Sequence, residues 1–201
     1  MSDEETANAT RLASHWIALR QTVLPKRLVA PGPDAAELEQ LFLAASAAPD
    51  HDLINPWRFL IIPEHKRADL GELFALALLE RDPSASADQV AQARDKAQRA
   101  PWLMLLIVDE AKGCAEIDMH ERVLSAGCAV QNFMLQAHAM GYGSALTSGK
   151  ALKAASFGAG LGLSASEHAI CFLSVGSVSS RKPFKARPEV SQFTRIWGDN
   201  A

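Results

Sequence analysis

The stretch Ala48-Pro-Asp-His-Asp-Leu-Ile-Asn-Pro-Trp-Arg-Phe-Leu-Ile-Ile62 sets two prolines, a histidine and an asparagine directly before a mostly apolar run. The run from Trp57 to Ile62 has the length and composition of a buried strand. Pro49 and Pro56 fix φ on either side of the polar residues, leaving them little freedom to lose on ordering. A strand introduced in this way has either an elaborate loop or one wall of a binding site in front of it. Behind that wall, Trp57 and Phe59 are expected in the core and Arg58, on the other face, at the surface or in an ion pair.

Working outward, Pro101 precedes WLMLLIVD (Trp102–Asp109), a second buried strand too short for an ordinary helix. A short strand is expected after Gly143 and another over His168–Val175. Between the strands the period changes to that of helices. Residues 6–20 place Leu12, Trp16 and Leu19 on one face. The proline-rich VLPKRLVAPGP (Val23–Pro33) breaks that helix. Asp34 caps the next, with Glu37 completing a capping box and Leu38, Leu41, Phe42 and Ala45 as its buried stripe. Further helices are expected around 65–80, then, after the polar segment Asp82–Asp88, in a stretch ending near Arg99, over 117–140, and over 150–157 before the glycine-rich turn FGAGLGL. Gly141-Tyr-Gly143 supplies the C-cap of the longest one. Within it lies Ser125-Ala-Gly-Cys-Ala129. A helical Gly127 costs about 1 kcal/mol against Ala, so tight packing against its backbone is expected. About half the chain reads as helix, in alternation with strands, which predicts a layered α/β or α+β fold. No repeat or linker divides it, so residues 1–201 are expected to form one domain, with an extended basic tail from about Ser179.

Composition narrows the function. A chain of 201 residues, 48% of them hydrophobic, suits a compact domain or a subunit of an obligate oligomer. A formal charge of −3 points away from nucleic acid and from anionic membranes. The three cysteines, Cys114, Cys128 and Cys171, have neither CxxC nor zinc spacing, which predicts a reducing compartment. The acidic N-terminus shows no apolar signal region, and Trp102–Val108 is far too short to cross a bilayer. A soluble, cytoplasmic protein is expected.

Several motifs fail on spacing. GSALTSGK (Gly143–Lys150) has five residues where a Walker loop has four, and Ala151 follows where a Ser or Thr should reach magnesium. Its hydroxyls and amides remain able to hold another phosphate-like group. Gly158-Ala-Gly160-Leu-Gly162 lacks the preceding strand of a dinucleotide fingerprint. There is no GxSxG and no HExxH, and neither Asp50-His51-Asp52 nor His120-Glu121 makes a metal set without further ligands. A binding wall without a nucleophile, acid–base pair or metal set suggests that a cofactor carries the chemistry.

Four segments together resemble the nitroreductase family, flavin mononucleotide (FMN) enzymes that work as homodimers. They are Arg20-Gln-Thr22 ahead of Ala30-Pro-Gly-Pro33; the stretch Ala48–Phe59; Leu124–Gln131 with Gly141-Tyr-Gly143 and Leu146-Thr-Ser-Gly149; and Ser174–Ser177 with the basic tail and Phe193–Trp197. They run in the family's order over nearly the whole chain and match its small, single-domain bacterial branch most closely. The resemblance implies an α+β, three-layer α/β/α fold, with a mostly antiparallel sheet and a long central helix at a dimer interface. It implies that Arg20, Gln21 and Thr22 hold the FMN phosphate, His51 and Asn55 the edge of the ring, and Leu146, Thr147 and Ser148 the ring or ribityl chain. It implies Arg181 and Lys182 as further phosphate partners. NADH or NADPH would reduce the flavin, and a nitroaromatic, quinone or similar small acceptor would reoxidise it by a ping-pong scheme with no catalytic side chain. The tail would reach the partner subunit. Gln21 stands where the family has a second arginine, keeping a donor but losing the charge. Small aliphatic residues replace an aromatic before Thr147, which bears on the choice of substrate. A flavin carrier or sensor without turnover, a cofactor-free interaction protein, and other chemistries of the fold stay open on the sequence alone.

Overall fold

The computed structural model describes residues 1–198. The fold is built on β5 (Glu167–Val178), a twelve-residue strand with neighbours on both edges. Along one edge runs β3 (Trp102–Asp109), which also pairs with β2 (Trp57–Ile61). Along the other lie β4 (Gly143–Thr147) and β1 (Leu28–Val29), a two-residue strand inside the proline-rich segment that its composition had marked only as a break. All four strand pairings are antiparallel.

The alternation of side chains in β3 explains the layers. Met104, Leu106 and Val108 face one core; Leu103, Leu105 and Ile107 face the other, and all six are buried. Strand residues alternate faces with a period of two, so an uninterrupted apolar strand needs cover on both sides. On the first side the cover is α2 (Ala35–Ser46) and α5 (Met119–Ala139), through Leu41, Ala45, Ala129 and Phe133. On the second it is α3 (Arg67–Arg81), flanked by α4 (Ala87–Asp95), with α6 (Ala155–Gly160), through Leu70, Ala77 and Phe157. This is the expected α+β, three-layer arrangement. Trp57 and Phe59 pack partly buried against the first core, and Arg58 pairs with Glu167 at 2.6 Å.

Local details differ from the sequence expectation in three places. The segment 150–157 is a 3₁₀ turn (Lys150–Lys153) followed by α6, which runs through Gly158 and Gly160 before turning at Gly162 with φ 70°. Gly160 belongs in the helix because Leu73 lies where a Cβ would stand. The first helix, α1 (Asp3–Leu19), buries none of its residues, and Leu12, Trp16 and Leu19 stay exposed. Gly127 has nothing of its own chain within 4 Å of a Cβ position, so the expected close packing is not made within the chain. No helix among the described residues is long and apolar enough to cross a membrane.

Two buried or half-buried polar groups fix α5. Arg122, 1% exposed, donates to the carbonyls of Ile117 (3.0 Å), Asp109 (3.2 Å), Lys112 (2.5 Å) and Cys114 (2.7 Å). It thereby satisfies a connection that has no ladder of its own. At the other end, Tyr142 donates its hydroxyl at 2.6 Å to Glu37 Oε2, the same oxygen that accepts from the Asp34 amide in the capping box of α2. The carboxylate that receives the phenol's proton in this hydrogen bond, with some burial, pushes the Tyr142 pKa up to about 12 from 10.0.

Tyr142 is the only tyrosine in the chain, so the pH-dependent rise in absorbance at 295 nm, to which the non-titrating tryptophans add only a constant, reports its ionisation. The native state favours the neutral phenol. Its contribution to stability is therefore full below the unfolded pKa of about 10 and is lost as pH rises through about 12. At pH 11 the folded protein should show little phenolate, and Glu37→Gln should move the titration toward that of a free phenol. A wild-type midpoint near 10 with the fold intact would refute this contact.

Candidate functional site

Where β4 ends and the second face of the sheet opens, two cavities meet. The larger, about 500 Å³, lies between Thr147-Ser148-Gly149, Phe74 of α3, Leu103 of β3, and Phe172 and Ser174 of β5. The smaller, about 360 Å³, lies between Arg20-Gln21-Thr22 and tail residues Lys182, Lys185 and Arg187. Leu24 lines both. The sheet positions both cavities: Thr22 bridges to Ser144 in parallel, and the Val23 amide donates to the Ser144 carbonyl at 3.0 Å. The strand that carries Thr147 to one cavity therefore also anchors Thr22 beside the other.

Two buried polar atoms of these cavities lack hydrogen-bond partners among the described residues. Ser174 is fully buried and its Oγ makes no hydrogen bond. Arg20, the C-cap of α1, has its Nη1 buried with no acceptor. An unmade hydrogen bond of this kind costs about 1–3 kcal/mol, more for a charged group. Burial, then the charge of Arg187, lowers the Arg20 pKa. Arg187 itself is held nearby by donating to the Arg20 carbonyl at 2.8 Å. Two guanidiniums are thus gathered with no carboxylate among the described residues lining the cavity. His138, near the end of α5, meets Trp16 edge-on at 5.7 Å and has a buried Nε2 without a partner. Burial and the charges of Arg181, Arg20 and His15 lower its pKa. This corner of the molecule is arranged for an anion.

The residues singled out in the sequence fall into two groups. Arg20, Gln21, Thr22 and Lys182 line the smaller cavity, Thr147 and Ser148 the larger, and Arg181 lies close enough to His138 to act on it. Leu146 is 42% exposed and lines neither cavity. His51 and Asn55 also line neither. His51 Nδ1 pairs with Glu121 Oε2 at 2.7 Å, near the start of α5. That carboxylate, followed by the charge of Asp52, raises the His51 pKa. Because Arg20 adjoins His138 near the other end of α5, the 17-residue offset puts the two groups about 25 Å apart along the helix axis at 1.5 Å per residue. One chain does not assemble them around one ligand.

The loop carrying His51 is nonetheless built with care. Asp52, Leu53 and Asn55 all have left-handed backbones, with φ 55°, 54° and 45°. Such conformations cost a residue with a Cβ about 1–3 kcal/mol. The Asn55 amide donates to Asp50 Oδ2 at 2.5 Å, and Trp57 Nε1 donates to Ser125 Oγ at 3.0 Å, tying the loop to α5. Sequence reading missed Lys96, Arg99 and Ser174 as lining residues. The only signal for the first two was two cations shortly before Pro101 and a strand; Ser174 looked like any small strand residue.

The profile of the nitroreductase family matches residues 25–177, about three quarters of the chain. The chain belongs to the nitroreductase family. Among family members, a Haemophilus influenzae protein provisionally named NAD(P)H nitroreductase is 30% identical over 152 residues, covering 76% of this chain and 82% of that one. The crystal structure of a nitroreductase-like family protein from Bacillus cereus superposes with a TM-score of 0.79 at 20% identity, covering 92% of this chain and 96% of that one. A nitroreductase-type protein from Desulfovibrio desulfuricans, crystallised with FMN, gives 0.68 at 20% identity, covering 91% and 95%. At these identities the structures establish the nitroreductase fold.

The anion site can be probed without a cofactor. Sulfate, binding only the native state, should raise the melting temperature by mass action, by about 2–4 °C for the roughly 1 kcal/mol gained at about four to five times its dissociation constant. In Arg20→Ala the rise should shrink to the general salting effect. Equal rises in both proteins would show that Arg20 binds no anion.

Proposed function

We propose that this nitroreductase family member is an FMN-dependent NAD(P)H oxidoreductase. The observation that carries the proposal is the pair of adjoining cavities, one apolar-floored with an orphaned buried hydroxyl, the other cationic with an orphaned buried guanidinium. A flavin nucleotide has that composition: a planar ring with a polar edge, and a phosphate of nearly two negative charges. Arg20 and Thr22 would hold the phosphate, helped by Gln21, Lys182 and, from the flank, Arg181. Thr147, Ser148 and Ser174 would offer hydrogen bonds around the ring. When bound, FMN supplies two-electron exchange, taking a hydride from NADH or NADPH and passing the electrons to a nitroaromatic, quinone or similar electron-poor acceptor in alternating half-reactions. The side chains position and polarise; the phosphate corner has its cations assembled before the ligand arrives, which limits the ordering cost of binding.

The distance between Arg20 and His51 supports a homodimer. Two copies packed antiparallel along α5 would bring the His51–Asn55 loop of one to the Arg20 end of the other. The face available for this contact carries Leu124, Gly127 and Cys128 beside Pro49, with nothing of the same chain above Gly127. Exposed Leu12 and Ile17 of α1, Leu53 at the loop tip, and Phe193, Ile196 and Trp197 of the tail add apolar surface that a partner would cover. In this arrangement Leu146, exposed at the end of β4, faces the shared space rather than the cavity. A cytoplasmic setting supplies both the nicotinamide and the reducing conditions.

The visible spectrum of the purified protein, incubated with FMN and then mixed anaerobically with NADPH or NADH, tests the proposal directly. A flavin spectrum that bleaches with either nucleotide is expected, in a species that elutes as a dimer. Bound flavin that neither nucleotide reduces would make the protein a carrier or sensor. No uptake of FMN would refute the flavin reading. Arg20→Ala should lose FMN on gel filtration, its affinity falling on the order of tenfold to a hundredfold, as for a charge-assisted hydrogen bond. Full retention would mean that the phosphate lies elsewhere.

A further inference from the structure

The two cavities hold more positive charge than a flavin nucleotide neutralises. Arg20, Lys182, Lys185 and Arg187 line the smaller, and a phosphate ester brings about two negative charges to them. Lys26, Lys96 and Arg99 line the larger, where an isoalloxazine ring brings none, and among the described residues no Asp or Glu lines either cavity. None of these three side chains forms an ion pair among the described residues. All this sits in a chain whose formal charge is −3, so the cations are gathered at the site rather than spread. Lys26 comes from the short turn after Leu24 and Arg99 from the segment entering β3. Both are exposed, so they stand at the cavity mouth, over a floor of Phe74, Leu103 and Phe172.

We propose that the larger cavity selects electron acceptors that are planar, aromatic and anionic: nitroaromatics or quinones bearing a carboxylate or sulfonate that meets Lys26 and Arg99. The inference rests on the flavin reading of the same site. In a ping-pong scheme the donor and the acceptor occupy one space in turn, so a field that attracts the phosphates of NAD(P)H also acts on whatever follows. Apolar walls strengthen that field where it reaches the ligand. For a nitro group the overall reaction is ArNO₂ + NAD(P)H + H⁺ → ArNO + NAD(P)⁺ + H₂O. Two electrons and one proton come from the nicotinamide, the second proton comes from solvent, and one N–O bond is broken to give water. The acceptor's carboxylate or sulfonate takes no part in this balance; its role is recognition.

The test isolates the oxidative half-reaction, so that nicotinamide binding plays no part. Reduced holoenzyme is mixed anaerobically with 4-nitrobenzoate or with neutral 4-nitrobenzamide, and the rate constants for flavin reoxidation are compared in wild type, Lys26→Gln, Arg99→Gln and the double variant. Flavin content is measured first. The benzoate-to-benzamide ratio should fall on the order of tenfold in the double variant, as expected for losing two charges near one anion. In wild type the ratio should also fall as salt is raised, and in the double variant it should barely respond. Holoenzyme that forms normally but keeps the same ratio in every variant and at every salt concentration overturns this inference and leaves the flavin reading standing. A wild-type protein that takes up no FMN overturns both. The salt series needs only wild type, so the inference can fail even if the double variant does not fold.

Discussion

The pairing of β5 with β3 is the constraint from which the rest of the structure follows. Two strands buried on both faces force helices onto both sides, and the length of β5 leaves its far edge to be shared by β4 and β1. Both cavities open at that shared edge. Phe172 and Ser174 point from β5 into the larger cavity, β4 delivers Thr147 and Ser148 to its rim, and the bridge from Thr22 to Ser144 ties the cationic corner to the same strand. A slip of one residue in the β4–β5 register would turn these groups to the opposite face. Gly143 helps to prevent it, since a Cβ there would stand 2.7 Å from Val178 and 2.8 Å from Leu28. The site is therefore a property of strand register, with loops filling in its rim.

Much of this was legible in the sequence. WLMLLIVD could only be a strand covered on both faces, and Asp34 with Glu37 announced the start of α2 by side-chain chemistry alone. The order of four short segments named the family before any coordinates. What stayed hidden depends on a third dimension or a second molecule. Ser174 differs from any other strand serine only in facing a cavity. Lys96 and Arg99 read as surface charges until α3 and the Leu24–Lys26 turn close over the same space. α1 and Gly127 misled for the opposite reason. Periodicity shows that a face is apolar but not whether the cover belongs to the same chain, and here the chain leaves both faces open.

The loop from Ala48 to Pro56 is a comparable case. Its prolines and polar residues suggested a preformed loop, and the structure adds three left-handed residues and a set of hydrogen bonds that hold them. Strain of this kind persists only where its surroundings over-determine the conformation. Yet it stands at the opposite end of α5 from the cavities. A loop held by its own chain is rigid without a ligand, which is what the proposed homodimer would require of a group delivered to a neighbouring subunit. A flexible loop would have to be ordered at the moment of association, at a cost to the stability of the pair.

If two subunits share the proposed site in this way, the division has a genetic consequence. Suppose one allele damages Arg20 and another damages the His51 loop, each abolishing activity in its own homodimer. In a mixed dimer one of the two sites collects both lesions, and the other receives an intact arginine from one subunit and an intact loop from the other. Two silent alleles would then restore half the sites of every hybrid molecule, a form of complementation open only to proteins whose working parts lie too far apart to meet within a single chain.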